Sequence, residues 1–462
     1  MNRQFYCENN GKTYYADTIA ELLEISKIKP CLDIEGVAAI TLMGPGRPVS
    51  SGIFKGVKQT LPHKPLAKEH TEAFEETSAH IRELLTKSIE SNLDLNPCLF
   101  LSGGLDSSII GTVAARKIKE LMTYSVDYKD NNINFKAGEF QPTEDTPFIK
   151  EMCDFLECSH RQIILDTDML YNALIPAITA RGLPGMADVD SSLYLFCQEV
   201  AKMERKPDEV GQATTGSVAL SGEGADELFG GYKWYFDETL LTSTTKQACL
   251  PWVRSVPERA DLLRKDILNK INPQEYINYA YREIIDNVSY LDTDDELTRK
   301  RREMFCLNYY GFMQTLMERS ERMSQVHGLK ILTPFYTRQI VEYAYNIPWE
   351  MKAYQGREKG LLRHAFNELL PESVAWRKKS PFPKTHNPEY MKRVSERLSE
   401  VINKPYCRVT EIYDKKKLFD LIQTEGGNFK KNWFGQLMTV PQIMAYIIQL
   451  EHWLSEYDVT LV

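Results

Sequence analysis

The chain has 462 residues and a formal net charge of −8, which predict two or three domains with ample core and argue against a general nucleic-acid binder. No run of about 18 apolar residues occurs, which argues against a membrane-spanning helix. The nine cysteines form no Cys-x-x-Cys pair, a pattern that disfavours zinc and disulfide frameworks and favours a reducing, cytoplasmic setting.

Residues 1–65 are predicted to form short strands and one helix. The stretches at 5–7 and 12–15 flank an Asn-Asn-Gly turn, a pattern typical of a β-hairpin. Residues 18–25 favour a short helix, and the Gly, Pro and Ser residues within 43–52 favour a loop. We expect this segment to cover one edge of the domain that follows.

Helical and strand patterns alternate over the next segment, residues 66–240. The predicted elements are a helix at 70–91, a strand and loop at 98–107, a helix to 121, a strand at 122–126, a helix at 147–156, a strand at 161–165, helices at 168–180 and 190–203, and a last short strand at 217–220. Polar stretches predict a mobile flap at 129–145 and a disordered connection at 204–216. The alternation predicts an α/β fold with a parallel sheet and right-handed crossovers, which binds ligands at the carboxyl ends of its strands.

The remaining segment, residues 241–462, has a helical pattern. Its long amphipathic stretches lie at 272–288, 294–325, 336–346, 358–369 and 433–456. Apolar residues recur there at the spacing of a helix face. The chain contains no internal repeat and no low-complexity tract.

The sequence Ser-Gly-Gly-Leu-Asp-Ser follows an apolar strand and opens a helix, so its backbone N–H groups lie at a helix N-terminus, where anions bind. Gly103 and Gly104 let the backbone approach an anion closely, and Ser102 and Ser107 add hydroxyl donors. Asp106 would repel a phosphate unless a divalent cation lay between them. The loop therefore predicts a site for Mg²⁺ and pyrophosphate, with a tight turn capped by Ser and Asp as the simpler alternative.

A second glycine-rich loop, from Ser221 to Tyr232, also lies between a strand and a helix. Its Asp226 is expected at the same edge of the sheet as Asp106, where the two carboxylates could share one Mg²⁺. Glu223 lies between two glycines and faces whatever the loop binds, which suits a general base. In the simpler alternative, these acids only cap the helix that follows.

Two further stretches are weaker candidates. Residues 124–126 end a strand beside the first loop, and the backbone of Val126 could hold an adenine edge, although apolar strand ends usually belong to the core. Three consecutive cations at 377–379 precede a turn bounded by proline. Taken alone, such a run is typical of a solvated face.

Together these residues resemble the synthetase domain of asparagine synthetases, and the likeness extends from about Gly36 to the C-terminus. The two glycine-rich loops match the family's Ser-Gly-Gly-Leu-Asp-Ser and Ser-Gly-Glu-Gly-Ala-Asp-Glu-Leu-Phe-Gly-Gly-Tyr motifs. Further matches, most similar to the Bacillus-like branch, lie at 124–128, 185–192, 379–388 and 433–439.

The resemblance implies a PP-loop fold, similar to the adenine nucleotide α-hydrolases, with a five-stranded parallel sheet flanked by helices. It implies an AMP-forming amide ligase in which a substrate carboxylate attacks the α-phosphorus of ATP and ammonia then attacks the acyl-adenylate. Glu223 would orient or deprotonate the amine, and Lys379 would stabilise developing negative charge, so Lys379 would not be a solvated side chain. The resemblance assigns Mg²⁺ to Asp106 and Asp226, and ATP to Leu101, Ser102, Gly103, Gly104, Asp106, Ser107, Val126, Ser221, Gly222 and Tyr232.

Two departures from the family pattern affect the expected reaction. The family begins with the Cys nucleophile of a glutaminase domain, whereas residue 2 here is Asn and only about 65 residues, similar to that domain's last strands, precede the synthetase. We therefore expect no intrinsic glutaminase activity, with free ammonia, another amine or a separate glutaminase partner supplying the nitrogen. The family's Gly-Leu-Glu-x-Arg-x-Pro-Phe segment has Lys330 and Leu332 in place of its Glu and Arg, and the loss of a fixed Arg changes the recognition of an acidic substrate.

Asparagine formation from aspartate is the leading hypothesis, because Glu223 fits ammonia as the nucleophile, whereas β-lactam-forming relatives tend to carry Tyr there and a lasso-peptide cyclase can carry His. One alternative is amide or macrolactam formation on a specialised-metabolite, peptide or cell-wall precursor. Thiolation of tRNA uses a similar loop but needs a catalytic Cys and a basic face. Neither is evident in this sequence, which disfavours that reaction. A degenerate binding or regulatory subunit is disfavoured, because a dead site would not keep Asp106, Glu223, Asp226 and Lys379 together.

Overall fold

The computed structural model describes residues 3–137, 142–204, 217–242 and 250–462. The N-terminal segment consists of β1 (Phe5–Asn9), β2 (Lys12–Ala16), α1 (Ile19–Ser26), β3 (Cys31–Leu32), α2 (Ile34–Ala38), a π-helical turn (Ala39–Met43) and β4 (Val57–Gln59). Strand β1 pairs antiparallel with both β2 and β4, so the predicted hairpin is present. Helix α2 was not predicted, although Asp33 caps it by accepting a hydrogen bond from the Gly36 N–H at 3.0 Å.

The second segment alternates strands and helices as the sequence predicts. Its elements are α3 (Phe74–Glu90), a 3₁₀ turn (Leu93–Leu95), β5 (Cys98–Phe100), α4 (Leu105–Ala115), β6 (Met122–Tyr128), α5 (Asn131–Asn134), α6 (Thr146–Leu156), β7 (Ser159–Leu165), α7 (Thr167–Asn172), α8 (Leu174–Arg181), α9 (Asp188–Glu204), β8 (Ser217–Leu220) and α10 (Ala225–Phe229). Part of the predicted flap is helix α5, and its residues 138–141 lie outside the described residues. The predicted disordered connection lies almost entirely outside them as well, at 205–216.

The regular elements among the described residues of the third segment are helices and two short strands. Its helices are α11 (Glu238–Thr242), α12 (Val256–Asp261), α13 (Lys265–Leu268), α14 (Pro273–Ile285), α15 (Glu296–Cys306), α16 (Met313–Gln325), α17 (Arg338–Asn346), α18 (Trp349–Lys352), α19 (Gly360–Phe366), α20 (Glu372–Ala375), α21 (Pro388–Ile402), α22 (Lys415–Gln423) and α23 (Val440–Glu456). The strands are β9 (Leu329–Leu332) and β10 (Thr460–Leu461), and a π-helical stretch (Leu307–Phe312) joins α15 to α16. Shorter 3₁₀ turns lie at Lys233–Phe236, Tyr354–Gly356, Asn367–Leu369 and Arg408–Glu411.

The central sheet has five parallel strands in the order β7-β6-β5-β8-β9. Leu99 in the middle strand pairs with Thr123 on one side and Leu220 on the other. The prediction that 217–220 is the last strand was wrong, because β9 pairs with β8 from within the helical segment. Strand β9 has only four residues. A run this short between helices is too short to show the alternation that identifies a strand in the sequence.

Two predicted helix boundaries were also wrong. The helix after the first loop ends at Ala115 rather than at 121, because the chain turns there, with the Lys117 N–H bonded to the Ala114 carbonyl at 3.0 Å, and buries Leu121 directly before β6. The final helix begins at Val440 rather than at 433, because Thr439 and Gln442 form a capping box that fixes its start.

Helices cover both faces of the sheet, and α16 packs against α8, α9 and β9. Among the described residues, no helix combines the length and the hydropathy that crossing a bilayer requires. Both glycine-rich loops leave the sheet at the carboxyl ends of neighbouring strands, β5 and β8. This topology brings the two loops side by side.

Candidate active site

A cavity of about 230 Å³ opens at the carboxyl ends of the sheet strands. The two glycine-rich loops, α16 and the segment 377–383 form its walls. Every site residue predicted from the sequence contributes to the wall except Gly103. Gly103 lies beneath the first loop at φ +65°, where an added Cβ would come within 2.6 Å of the backbone N of Ile149.

The first loop presents the start of α4 to the cavity. Ser102 and Ser107 are joined through their hydroxyls at 3.1 Å, and the Gly104 N–H donates to Ser102 Oγ at 3.3 Å. No side chain caps α4, whose N-cap residue is Gly104. The first turn of an 11-residue helix thus keeps its positive end available to an anion, as the sequence predicts.

The two loops approach each other closely at their acidic residues. A Cβ on Gly222 would lie 2.8 Å from the Cβ of Asp106, and a Cβ on Gly231 would lie 1.9 Å from Asp226 Oδ1. Neither position therefore has room for a side chain. The glycines that identify the loops in the sequence are those that let the carboxylates face one another.

An ammonium group lies between Asp106 and Asp226. Lys359 Nζ is 2.8 and 2.7 Å from the two carboxylate oxygens of Asp106 and 2.8 Å from Asp226 Oδ1. The Lys359 side chain is only 3% exposed. The structure thus brings the two predicted carboxylates together and adds a lysine that sequence reasoning missed.

The electrostatics of this cluster favour the ionised forms of Asp226 and Lys359, whereas burial, outweighing the nearby lysines, raises the pKa of Asp106. Burial raises the pKa of Asp226, but Lys359 and Lys379 outweigh burial, and the pKa falls well below its usual range. Burial likewise lowers the pKa of Lys359, and Asp106 and Asp226 outweigh it and raise that pKa. Two buried carboxylates around a cation form the donor set that a hard divalent cation also accepts, so the residues present fit Mg²⁺ chemistry.

Of the three cations at 377–379, only Lys378 is exposed, so the solvated face that such a run indicates when taken alone is wrong for Arg377 and Lys379. Lys379 Nζ lies 2.8 Å from Asp226 Oδ2 and donates to the Ser380 carbonyl at 3.0 Å. It also lies 5.8 Å from the ring centre of Tyr232. Lys379 therefore contacts one carboxylate oxygen of Asp226 and Lys359 contacts the other.

Arg377 connects this segment to the first loop, a role that its sequence position did not reveal. Its guanidinium donates to the Ser102 carbonyl at 3.3 Å and forms an ion pair with Asp145. It also lies over the Phe148 ring, 4.0 Å from the ring centre. Asp145 is the last residue of the predicted flap, so that end of the flap is fixed to the segment that carries Lys379.

Glu223 faces the cavity from the second loop and is held by α16. Arg319 Nη2 donates to Glu223 Oε1 at 3.3 Å, and the Ser320 hydroxyl donates to Oε2. The Arg319 guanidinium also lies 5.0 Å from the ring centre of Phe382. Neither Arg319 nor Ser320 was predicted. Both lie in a stretch whose sequence is that of an ordinary amphipathic helix and contains no motif.

The remaining predicted residues form the sheet side of the cavity. The Leu101 N–H donates to the Tyr124 carbonyl at 2.8 Å, so the loop begins as a continuation of β5. Val126 is nearly buried at the wall. The Tyr232 hydroxyl donates to Glu227, whose pKa burial and the neighbouring Asp226 raise to about 7.

The two positions that depart from the family pattern lie on β9. Lys330 pairs with Val218, and the Leu332 carbonyl accepts a hydrogen bond from the Ser221 N–H at 2.9 Å. Neither side chain belongs to the described lining of the cavity. Leu332 therefore contributes through its backbone, which fixes the start of the second loop.

Comparison with known proteins gives consistent matches. The asparagine synthase family profile matches residues 80–455. "Asparagine synthetase [glutamine-hydrolyzing] 3" of Bacillus subtilis (strain 168) is 38% identical over 99% of this chain and 75% of its own length. "Asparagine synthetase [glutamine-hydrolyzing] 1" of the same organism is 25% identical over 69% of this chain and 51% of its own length. The human asparagine synthetase is 24% identical over 66% of this chain and 42% of its own length, so the chain spans about half or less of these last two relatives.

Proposed function

This chain belongs to the asparagine synthase family, and from that premise we propose that it is an ATP-dependent, AMP-forming amide ligase. The single observation that carries the proposal is the meeting of Asp106 and Asp226 around Lys359, beside the uncapped start of α4. A buried acidic pair next to a helix N-terminus suits a nucleotide whose phosphates carry a divalent cation.

The nucleotide would lie along the carboxyl edge of the sheet. Its phosphates would approach the first turn of α4 and Lys359, and its adenine would lie against the wall near Val126. Asp106 and Asp226 would hold Mg²⁺, which when bound neutralises charge on the phosphates. A Cβ on Gly222 would lie 3.1 Å from the Ser107 N, and a Cβ on Gly104 would lie 3.3 Å from Ser102 Oγ, so the two glycines would leave the donors at the start of α4 open to the phosphates.

The first half-reaction activates a carboxylate. Its oxygen attacks the α-phosphorus of ATP, the bond between the α-phosphorus and the bridging oxygen breaks, and pyrophosphate leaves. Lys379 is placed at the junction of Asp226 and the cavity, where its ammonium would stabilise the negative charge that develops on the phosphate oxygens. Arg377 holds the segment 377–383, which carries Lys379, against the first loop through its hydrogen bond to the Ser102 carbonyl.

The second half-reaction forms the amide. Ammonia attacks the acyl carbon, a proton passes to Glu223, and AMP leaves with the electron pair of the acyl–oxygen bond. The carboxylate of Glu223 faces the cavity on the side of α16, within the same wall as Lys379. We propose aspartate as the acceptor, free ammonia or ammonia from a separate glutaminase as the nitrogen donor, and no glutamine hydrolysis by this chain itself.

An assay of both half-reactions tests the proposal. The protein is incubated with ATP, Mg²⁺, ammonium and aspartate, while pyrophosphate, AMP and asparagine are measured. With ammonium we expect all three products in equal amounts, and with glutamine in its place we expect no asparagine and no sustained release of pyrophosphate or AMP. Pyrophosphate formed only with another carboxylic acid would refute aspartate as the acceptor, whereas no pyrophosphate with any acid would refute the ligase.

A further inference from the structure

The carboxylate of Glu223 is held by two consecutive residues of α16, and we propose that Ser320 and Arg319 are positioning residues for the amide-forming step. The proposal rests on the proposed function, in which Glu223 receives the proton of the amine. It adds that the helix, and not the loop on which Glu223 lies, sets where that carboxylate points. In this proposal Ser320 serves the amide-forming step alone. Arg319 serves that step and also contacts the segment 377–383, which carries Lys379.

Both oxygens of Glu223 already have a donor. Ser320 donates to Oε2 and Arg319 to Oε1, and the Glu223 side chain is 21% exposed against 3% for Arg319. A carboxylate oxygen has two lone pairs, so each oxygen keeps one for a ligand in the cavity. The two donors thus fix the carboxylate plane without using up its capacity to accept a proton.

The helix that carries the donors is itself rigidly fixed. The Arg181 guanidinium donates to the Thr315 carbonyl at 3.1 Å, and Glu318 forms a buried ion pair with Arg47 at 2.9 Å. The described hydrogen bonds of the Glu223 side chain go to α16 and not to its own loop, where Gly224 follows at φ +93°. A functional group on a loop needs support of this kind to remain within a fraction of an ångström of its working position.

The two donors differ in what else they contact. The described hydrogen bond of the Ser320 hydroxyl goes to Glu223. Arg319 also packs over Phe382, three residues beyond Lys379. Loss of the Ser320 hydroxyl should therefore affect the amine step, whereas loss of Arg319 should affect both half-reactions.

Ser320→Ala tests the proposal by separating the half-reactions. Adenylation is measured as acceptor-dependent exchange of pyrophosphate into ATP, and amide formation as the steady-state rate against ammonium concentration. We expect exchange within about twofold of wild type and a roughly tenfold fall in kcat/KM for ammonium, the equivalent of one hydrogen bond to a charged group. Ser320→Thr, which keeps a hydroxyl, should recover most of the loss.

Ser324→Ala is the matched control, because Ser324 lies one turn further along α16 and its buried hydroxyl donates to the Glu321 carbonyl within the helix. It should leave both half-reactions unchanged. An equal fall in exchange and amide formation in Ser320→Ala, or no fall in either, would overturn the proposal. If Ser320→Ala does not fold, the isosteric pair Ser320→Thr and Ser320→Val gives the same comparison. Wild-type protein without exchange for any acid would instead refute the ligase itself.

Discussion

Lys379 shares Asp226 with Lys359, and this sharing determines what its removal does. Since Lys359 still contacts both carboxylates in Lys379→Ala, the acidic cluster stays compensated and ATP binding should survive. The charge that develops during adenylation loses its nearest cation, and we expect kcat to fall by roughly 10²–10³, as when one oxyanion donor is lost. ATP affinity is measured by titration calorimetry and kcat by pyrophosphate release.

Lys392→Ala on the exposed face of α21 is the control for loss of a lysine and should retain the wild-type rate. A wild-type rate in Lys379→Ala would contradict the role of the lysine in adenylation. Loss of ATP binding would instead assign Lys379 to the nucleotide.

The residues that sequence reasoning identified differ in kind from those that it missed. Asp106, Glu223 and Asp226 lie in the two glycine-rich motifs that join a strand to a helix, and such a motif marks the edge of the sheet where ligands bind. Lys359 and Arg319 come from helical stretches in a chain with 56 Lys and Arg residues. Their contacts depend on tertiary packing, so no local pattern marks them.

At the scale of elements, the turns that join a strand to a helix were predictable from the sequence. The interruption before α16 and the strand β9 after it were not. The stretch 294–325 was predicted as one helix, and the structure interrupts it with a π-helical stretch, Leu307–Phe312. Such an insertion changes which side chains face the cavity. Strand β9 was hidden for the related reason that its hydrogen-bonded neighbour, β8, lies more than one hundred residues earlier.

The short helix α18 carries a lysine in the core. Lys352 is buried against the Phe305 ring, and burial, together with nearby Arg302, lowers its pKa from 10.5 to about 7. Between pH 7 and 10.5 the unfolded chain therefore binds more protons than the folded protein, and stability rises with pH over this range. Lys352→Met should accordingly stabilise the protein at pH 7.5, by roughly 3 kcal/mol, and much less at pH 10.

Urea unfolding at the two pH values measures this difference. The exposed Lys87 on α3 provides the control, and Lys87→Met should change stability by less than about 0.5 kcal/mol at both. An equal gain for Lys352→Met at pH 7.5 and pH 10 would show that packing, and not the lysine charge, accounts for the effect.

At the scale of the whole molecule, the N-terminal segment is part of the support for the site. Arg47 donates to Gln59 and forms a buried ion pair with Glu318, the residue before Arg319. The Arg322 guanidinium donates to the Asp17 carbonyl and the Thr315 hydroxyl to the Pro45 carbonyl, so the same helix is tied to the first 65 residues at three positions. The sequence predicted that this segment covers an edge, and the structure adds that it fixes the helix holding Glu223.

Arg47→Met tests that coupling. Burial raises the pKa of Glu318, but Arg47 and Arg181 outweigh burial and lower it from 4.5 to about 2, so the stabilisation is complete above pH 4.5 and is lost as the pH falls toward 2. Removal of Arg47 at neutral pH leaves a buried carboxylate without its main partner and should cost about 3–5 kcal/mol in urea unfolding.

The double variant Arg47→Met with Glu318→Met removes both charges and should recover most of that loss, because an apolar pair of similar volume is often as stable as a buried ion pair. In the double variant, α16 keeps its apolar packing but loses the ion pair that joins it to Arg47 in the N-terminal segment. We therefore expect the double variant to form acyl-adenylate normally and to use ammonium less well. A double variant as unstable as Arg47→Met would contradict the expectation that an apolar pair replaces the ion pair. A double variant with wild-type kcat/KM for ammonium would show that the ion pair between Arg47 and Glu318 does not help to position Glu223.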